Sequence, residues 1–264
     1  MSTEPEEAPG EKKSVAREYL ESIVVAVILA LFIRTFSIQA FKIPTGSMKE
    51  NLLVGDHLLV NKLVYSPSLG SLEDRLLGKR PIERGDVVVF KYPEEPERDF
   101  IKRVIGLPGE TVEIRNKQVF INGTFLPEDE QICSEGRRGE LVCQDADPSD
   151  EGPYKVYLLE PPRPLDELDF GLRSDSVRDT WGPHVVPEGH LLVLGDNRDN
   201  SRDSRYWADP FLPRDQVKGR ALIVYWSYEA TKAEYQRSGW VEWMKDTLSA
   251  FGRTRWRRFF HVIR

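Results

Sequence analysis

The stretch GDVVVFKYPEEPERDFIKRVIG, residues 85–106, indicates the fold of this chain. It contains two β-branched and aromatic runs, 85–92 and 99–106, separated by a charged segment that includes two prolines. Short runs of Val, Ile, Phe and Tyr that are bounded by Gly, Pro and Asp are typical of β-strands. We therefore expect residues 85–106 to supply two strands of a β-rich domain.

Similar runs lie on both sides of this stretch, at 57–65, 111–123, 190–196 and 220–226. The run at 111–123 predicts a hairpin that turns at Arg115-Asn116-Lys117. Residues 127–188 are rich in Pro, Asp, Glu and Gly and show little periodicity, which predicts an inserted lobe or large loops. The sequence thus predicts a mainly β domain over residues 41–228 with an irregular insertion.

Composition excludes several classes of protein. The chain has 264 residues and a formal net charge of −6, which argues against a nucleic-acid binder with a dominant basic face. Its two cysteines, Cys133 and Cys143, lie without further ligands at metal spacing, so we expect no zinc site. They either form a disulfide, which requires an oxidising compartment, or remain two thiols. The spacing alone does not decide between these states.

The most apolar run is IVVAVILALFI, residues 23–33. A membrane-spanning helix needs about 20 residues. The run reaches that length only by continuing through Arg34 to about Phe41, with the Arg34 side chain extended toward the far headgroups. A cleavable signal peptide is an alternative, but Ile38-Gln39-Ala40 has a bulky residue where a small one is needed. A buried soluble helix is a second alternative, but no nearby stretch would cover it.

We therefore predict one uncleaved N-terminal transmembrane helix over residues 20–40, preceded by a cytoplasmic tail at 1–19. Lys12, Lys13 and Arg17 place the N-terminal end in the cytoplasm by the positive-inside rule. Everything after residue 41 then lies on the outer face of the membrane, and this location favours the disulfide.

The C-terminal region, 229–264, predicts an amphipathic helical tail. Apolar residues at helical spacing are Trp240, Met244, Leu248, Phe251, Trp256, Phe259, Phe260 and Ile263. Five arginines and no acidic residue follow Gly252, a composition that suits an anionic headgroup surface. A terminal helix packed on its own domain fits the pattern equally well.

A candidate nucleophile, Ser47, lies just past the apolar run, in FKIPTGSMKENLLVGD at 41–56. A serine hydroxyl needs a neighbouring base. None of the four histidines has a recognisable setting, and TGSMK is not the G-x-S-x-G elbow, although a triad assembled in space stays possible. A lysine can act as the base if it is stripped of water. Lys102, in DFIKRVIGLPG at 99–109, is the candidate, although its own context fits a solvent-facing strand lysine better.

The segment GDNRDNSRDSRYWAD, residues 195–209, has an unusual density of Asp and Arg. It does not fit a calcium loop, because Arg198 takes a ligand position, Ser201 replaces the glycine and Trp207 replaces the bidentate Glu. What remains is a scaffold of carboxylates and guanidiniums, in which the Ser201 hydroxyl could orient an amine.

Four motifs in this order resemble those of the bacterial type I signal peptidases (leader peptidases). They are IPTGSM (43–48), GDVVVFKYP (85–93), DFIKRVIGLPG (99–109) and GDNRDNSRDSRYW (195–207), and the resemblance covers most of residues 20–226. The family consists of membrane-anchored serine proteases with a Ser-Lys dyad. The resemblance implies an antiparallel β-sheet catalytic domain of the signal-peptidase type, which removes signal peptides after Ala-x-Ala sequences.

The resemblance also implies roles for single residues. Ser47 matches the nucleophile and Lys102 the general base, and the Thr45 hydroxyl joins the Ser47 backbone N–H in the oxyanion hole. Ser201 matches the hydroxyl that positions the lysine. The supporting pair is Asp203 and Arg205, and the apolar residues implied to line the substrate pockets are Phe41, Ile43, Met48, Leu52, Phe100 and Ile101.

The family binds its substrate as an added strand. Lys49-Glu50-Asn51 departs from the family pattern, which usually has Pro-Thr here, and we expect a small change at the pocket rim. The implied location is the inner (cytoplasmic) membrane, with the catalytic domain on the extracytoplasmic face. Implied partners are membrane lipid and exported preproteins delivered by the secretion machinery, without nucleic acid or cofactor. Two alternatives stay open: an inactive anchored domain that binds secreted chains, and a peptidase dedicated to one substrate.

Overall fold

A computed structural model describes residues 15–66, 79–135, 141–145, 152–159, 179–229 and 252–263. Within these ranges, the α-helix that is described from end to end is α1, Val15–Phe36. The strands are, in chain order, β1 Ile38–Lys42, β2 Asp56–Asn61, β3 Val87–Tyr92, β4 Glu95–Gly106, β5 Thr111–Arg115, β6 Gln118–Ile121, β7 Thr124–Phe125, β8 Asp129–Glu135, β9 Leu141–Asp145, β10 Lys155–Leu158, β11 Trp181–Val185, β12 His190–Leu194, β13 Leu212–Pro213, β14 Val217–Ser227 and β15 His261–Val262.

An eight-stranded antiparallel sheet carries the candidate site. Its order is β1-β2-β14-β3-β4-β12-β13, and β15 pairs with β14. The residues of β2 alternate between buried and half-buried, as expected for a strand with one face on the core. β4 is exposed over residues 95–99, half-buried at Phe100 and Ile101, and buried over residues 102–106. The prediction of a mainly β, antiparallel fold is confirmed.

The predicted hairpin at 111–123 forms β5 and β6. Asn116 and Lys117 both have positive φ, +51° and +69°, at the two central positions of the turn. This is the backbone of the tight two-residue turns that match the twist of the flanking strands. β5 and β6 belong to a four-stranded sheet with the order β11-β5-β6-β7.

Residues 127–188, predicted as an inserted lobe or large loops, contain strands in the described parts of that range, so the prediction of large loops is wrong there. β8, β9 and β10 form a three-stranded sheet, in which β10 runs parallel to β8. Cys133 and Cys143 pair directly across β8 and β9 and form a disulfide. β11 pairs with β5 of the other sheet, so this part of the range is not a separate lobe. The strands are paired by distant partners, which local periodicity does not reveal.

The helix α1 ends before the predicted limit of the anchor. Residues 38–42 are the edge strand β1, which pairs with β2 from Ile38↔Asn61 to Lys42↔His57. The predicted continuation of the helix to about Phe41 is therefore wrong, because backbone pairing with β2 takes these residues. Within the described ranges, no helix meets the length and apolarity required for a membrane crossing.

The C-terminal residues 253–263 do not form the predicted helix. Trp256–Arg258 make one 3-10 turn and His261–Val262 form β15. Ile263 is buried in the cluster that also contains Leu58 and Val224. Pairing with β14 and burial of Ile263 therefore outweigh the local helical spacing. Trp240, Met244, Leu248 and Phe251 lie outside the described residues.

Candidate active site

The loop that carries Ser47 is held by backbone contacts on both sides. Ile43 N–H donates to Asp56 O at 2.9 Å, and Gly55 N–H donates to Ile43 O at 3.1 Å, which closes the loop at its base. A turn of the chain follows Ser47, with Leu52 N–H bonded to Met48 O at 2.7 Å. The Ser47 carbonyl accepts from Asn197 N–H at 3.2 Å. The serine is therefore fixed against the segment that begins at Gly195.

Lys102 points at Ser47 from strand β4. Its Nζ lies 2.5 Å from Ser47 Oγ, and its side chain is almost fully buried, with 3% of the residue exposed. Burial lowers the pKa of Lys102 from its ordinary 10.5 to about 8, against the opposing effect of the Asp203 and Asp196 carboxylates. An amine with this pKa is partly neutral near physiological pH and can accept the serine proton.

The position of Lys102 on strand β4 explains why its side chain is shielded from water. Its neighbour Phe100 places an aromatic ring 5.6 Å from the Lys102 Nζ, and β4 passes from exposed to buried residues at this point. Lys102 pairs with Val88 of β3 in the sheet interior. The lysine backbone is thus part of the core sheet while its amine reaches the cavity beside Ser47.

The segment 195–207 forms a rigid support beneath this pair. Asp203 accepts from Gly195 N–H at 2.9 Å and from Arg205 Nε and Nη2, both at 2.9 Å. Burial alone would raise the pKa of Asp203, but the Arg205 guanidinium and these hydrogen bonds hold it below its ordinary value. The structure therefore brings together the two residues that the sequence predicted as a supporting pair.

Ser201 lies in the same support. It is 6% exposed, and its Oγ is a buried polar atom without a hydrogen-bond partner among the described residues. A buried hydroxyl of this kind is available for a partner that arrives during a reaction. The hydroxyl and the Ser47 carbonyl both border the Cα of Gly195, where an added Cβ would meet them.

Gly195→Ala is therefore expected to disrupt the site. The new Cβ would lie 2.6 Å from the Ser47 carbonyl oxygen, which is a backbone atom, and would collide with Ser201 Oγ. A displacement of about 1 Å lowers kcat about 100-fold. Gly252→Ala is the matched control, since nothing lies within 4 Å of the Cβ position there. Comparable kcat values for the two variants in a peptide-cleavage assay would contradict this prediction.

A buried ion pair that the sequence did not indicate lies next to Lys102. Arg103 donates to both Asp196 oxygens, at 2.8 and 2.6 Å, and both side chains are about 1% exposed or less. Asn51 donates to the same carboxylate at 2.7 Å. The pair therefore ties β4, the segment 195–207 and the loop after Ser47 together.

A second buried pair joins the start of the predicted insertion to the same segment. Arg198 donates to both oxygens of Glu128 at 2.6 Å, and Tyr154 donates to Glu128 at 2.9 Å. The sequence identified Arg198 as part of a scaffold but gave no signal for its acidic partner, which lies 70 residues earlier.

A cavity of about 520 Å³ opens beside Ser47 and Lys102. Its lining includes Thr45, Phe100 and Ile101 from the predicted set. The other predicted pocket residues lie elsewhere: Ile43, Met48 and Leu52 are at most 2% exposed in the core, and Phe41 packs against that core. These four residues therefore belong to or pack against the core cluster and are not among the residues that line this cavity.

The histidines have surroundings of their own in the described structure. His57 lies among Tyr225, Trp226 and Tyr228, and burial lowers its pKa to about 4. His184 contacts the Trp181 ring, and His190 Nδ1 lies 3.0 Å from Glu188 O. In the described structure, Ser47 Oγ accepts its side-chain hydrogen bond from Lys102 Nζ and not from a histidine. Among the described residues, no group of three or more His, Cys, Asp or Glu could hold a metal ion.

A serine hydroxyl against a buried lysine on an antiparallel sheet defines a candidate serine hydrolase. The chain belongs to the signal peptidase family, peptidase S26, whose family model matches residues 16–226. It is accordingly a serine endopeptidase, and the resemblance identified from the four motifs is confirmed.

Individual relatives agree with this assignment. A Signal peptidase I from Pseudomonas aeruginosa is 35% identical over 233 residues, covering 84% of this chain and 76% of the relative. One from Aquifex aeolicus is 35% identical over 237 residues, covering 80% and 84%. A solved signal peptidase I from Enterococcus faecalis is 27% identical, covers 53% of this chain and 97% of its own, and has a TM-score of 0.30.

Proposed function

We propose that this chain removes signal peptides from exported preproteins, with Ser47 as nucleophile and Lys102 as general base. The observation that carries the proposal is the 2.5 Å contact between Lys102 Nζ and Ser47 Oγ, made by a buried amine with its pKa lowered to about 8. The similarity to enzymes named Signal peptidase I supports the choice of substrate.

The reaction follows from this contact. Neutral Lys102 takes the proton of Ser47 Oγ as the oxygen attacks the scissile carbonyl carbon. The resulting ammonium gives that proton to the leaving amine, which is the new N-terminus of the mature protein. Lys102 then takes a proton from a water molecule as its oxygen attacks the carbonyl carbon of the acyl-enzyme ester. The ammonium returns this proton to Ser47 Oγ as the ester bond breaks, so the signal peptide leaves with a free carboxyl group and the enzyme is restored.

Thr45 and Ser201 assist the serine and the lysine with their hydroxyl groups. Thr45 is exposed on the cavity wall two residues before Ser47, where its hydroxyl donates to the oxyanion together with the Ser47 backbone N–H. The unpartnered Ser201 hydroxyl orients the Lys102 amine once the amine is neutral. Asp203 and Arg205 hold Ser201 in place through the fixed segment 195–207.

The substrate binds as a strand on β4. On one side β4 pairs with β3. On the other side only its last residues, from Arg103 to Gly106, pair with β12, so the part of this second side before Arg103 has no strand partner among the described elements. Phe100 and Ile101 of this edge line the cavity. A shallow apolar wall formed by these side chains accepts small residues such as Ala at the first and third positions before the cut.

Cleavage of a purified preprotein tests this proposal. The full chain in detergent should cut a preprotein with an Ala-x-Ala site once, and replacement of either Ala by Leu should abolish that cut. Cleavage of both preproteins at equal rates would contradict the proposed specificity. A panel of unrelated preproteins then distinguishes general processing from a dedicated peptidase, because the latter cuts only one.

The rate of cleavage should depend on pH through Lys102. The base must be neutral, so log kcat/KM rises with a slope of one as pH approaches about 8 and is level above it. An ordinary lysine would continue the rise to pH 10.5. A limb centred near pH 6.5, the ordinary pKa of histidine, would contradict the assignment of the base. The measurement is kcat/KM against pH with a peptide substrate at constant ionic strength.

The enzyme works at the membrane, with its N-terminal end in the cytoplasm and the catalytic domain on the extracytoplasmic face. Large apolar side chains of α1, including Tyr19, Leu20, Ile23, Val25 and Ile28, are 59–68% exposed, which favours contact with lipid. Protease added to intact spheroplasts should degrade the catalytic domain. Survival of the domain would contradict this orientation.

A further inference from the structure

Arg202 lies in the wall of the active-site cavity and takes no part in the mechanism proposed above. It lines the cavity of about 520 Å³ to which Ser47 and Lys102 also belong. Its side chain is 63% exposed, so the guanidinium is open to a molecule that enters this cavity from solvent. A charged group at a binding surface favours partners of opposite charge and disfavours those of like charge. Arg202 is therefore a candidate for the selection of substrates.

An aromatic wall holds the Arg202 side chain in place. Tyr92 is 1% exposed, and its ring stacks on that of Phe100 with centroids 4.3 Å apart and planes at 4°. The Arg202 guanidinium carbon lies 5.8 Å from the centroid of the Tyr92 ring, a distance at which a cation is attracted to an aromatic ring. The positive charge of Arg202 is thus positioned against two stacked rings that also line the cavity.

Arg202 keeps hydrogen-bond donors for a ligand. Its ion pair with Glu94 uses one nitrogen, Nη2, at 3.0 Å. A guanidinium carries five N–H donors and often binds a carboxylate through two of them. Glu94 in turn shares its carboxylate with the Tyr92 hydroxyl and with Ala208 N–H. The contact with Glu94 therefore positions Arg202 without using all of its donors.

The charges around the cavity favour an acidic ligand. Arg98 and Arg202 both belong to the lining and carry permanent positive charges. Among the described lining residues the acidic one is Asp99, whose carboxylate lies 2.6 Å from Lys218 Nζ. Glu95, which is not among these lining residues, pairs with Arg98 at 2.9 Å. A substrate carboxylate in the cavity therefore meets two guanidinium groups and one acid that is already paired.

The proposed reaction puts Arg202 on the side of the mature chain. Lys102 gives its proton to the leaving amine, so the mature protein begins beside the Lys102 amine. Ser201, whose hydroxyl is proposed to orient that amine, lies between Asn200 and Arg202 in the sequence, and both of these residues line the cavity. The signal peptide is proposed to occupy the edge of β4. The wall formed by segment 200–202 is thus left for the first residues of the mature chain.

We infer that Arg202 binds an acidic side chain in the first two residues after the cut, so that preproteins with Asp or Glu there are cleaved fastest. The inference rests on the proposed function and deepens it by naming a preference on the mature side of the cut. In this role Arg202 selects the substrate and takes no part in the proton transfers. The preference is electrostatic, so it depends on the sign of the charge at position 202.

Three peptides test this preference. They share one Ala-x-Ala site and carry Glu, Gln or Lys at both of the first two positions after the cut. For the full chain in detergent, kcat/KM should be about three- to five-fold higher with Glu than with Gln, the factor that an exposed ion pair supplies, and lower with Lys. A salt concentration of about 1 M should bring the ratio of Glu to Gln close to one, because it screens the pair.

Variants assign the preference to the charge of Arg202. Arg202→Gln should lower the ratio of Glu to Gln to about one, and Arg202→Glu should reverse the order so that the Lys peptide is cleaved faster than the Glu peptide. Each ratio is measured on one preparation, so it does not depend on the fraction of folded enzyme. The matched control is Arg115→Gln, which should keep the wild-type ratio. Arg115 is 53% exposed, pairs with Glu113 and lies 5.0 Å from the Phe120 ring, but it is not among the residues that line the cavity.

Four results would overturn the inference. Equal kcat/KM for the three peptides would remove the preference and leave the proposed peptidase activity in place. No cleavage of any peptide would remove the proposed function and the inference together. A wild-type ratio in Arg202→Gln would assign the preference to another group. Faster cleavage with Glu at the middle position of Ala-x-Ala, and not after the cut, would place Arg202 on the signal-peptide side.

Discussion

Replacing Lys102 by Met is expected to lower kcat/KM for preprotein cleavage by about 100- to 10,000-fold, the range that a positioned base contributes. Ser47→Ala should abolish cleavage, because no covalent intermediate can form. The double variant should be no worse than Ser47→Ala, since the two groups act as one unit. The physical reason is the direct 2.5 Å contact between the two side chains.

Controls for this experiment lie on the same structure. Lys91→Met changes an exposed lysine on the neighbouring strand β3 and should leave cleavage unchanged. A variant that lacks His184 and His190 should also retain activity. Loss of activity in the correctly folded histidine variant, with activity kept in Lys102→Met, would replace the Ser-Lys mechanism by a histidine-dependent one.

Lys102→Met should also be more stable than the wild type at neutral pH. The native pKa of about 8 lies below the ordinary 10.5, so burial of the ammonium costs about 3 kcal/mol at pH values below 8. Between pH 8 and 10.5 the unfolded state binds the proton and the native state does not, and wild-type stability therefore rises. The difference between the variants should disappear toward pH 10.5 in thermal unfolding. A constant difference across this range would contradict the lowered pKa.

The second large effect is expected for Arg103→Met. The variant leaves the fully buried Asp196 carboxylate without its bidentate partner, which should lower the free energy of unfolding by about 3–5 kcal/mol. Cleavage activity should fall as well, because the same carboxylate holds Asn51 and the segment after Ser47. Urea unfolding of the purified chain measures the first effect.

Two comparisons give this prediction its specificity. Arg98→Met, on the same strand, breaks an exposed pair with Glu95 and should change the unfolding free energy by at most about 1 kcal/mol. Asp196→Asn added to Arg103→Met should recover part of the loss, because the uncompensated charge is gone. Equal decreases in the free energy of unfolding for Arg98→Met and Arg103→Met would contradict the stabilising role of the buried Arg103–Asp196 pair.

The disagreements between sequence and structure have a common cause. Trp256, Phe259, Phe260 and Ile263 follow helical spacing, yet the segment 256–263 contains one 3-10 turn and the strand β15, because β14 offers a backbone partner. The resemblance implied that Met48 and Leu52 line substrate pockets, yet the chain after Ser47 turns both side chains into the core. In each case a partner that lies far away in the sequence decides the conformation, and the local sequence pattern does not predict that partner.

The sequence by itself determined the strands β2 to β6, β12 and β14, the family, and the identity of Ser47, Lys102, Ser201, Asp203 and Arg205 as candidates. These conclusions follow from local order: β-branched runs, turn residues and motifs whose spacing is read along the chain. Only the tertiary structure decided the pairing of Arg103 with Asp196 and of Arg198 with Glu128, across 93 and 70 residues. It also decided the burial of Lys102 and its lowered pKa, because the pKa of an amine depends on the groups that surround it in space.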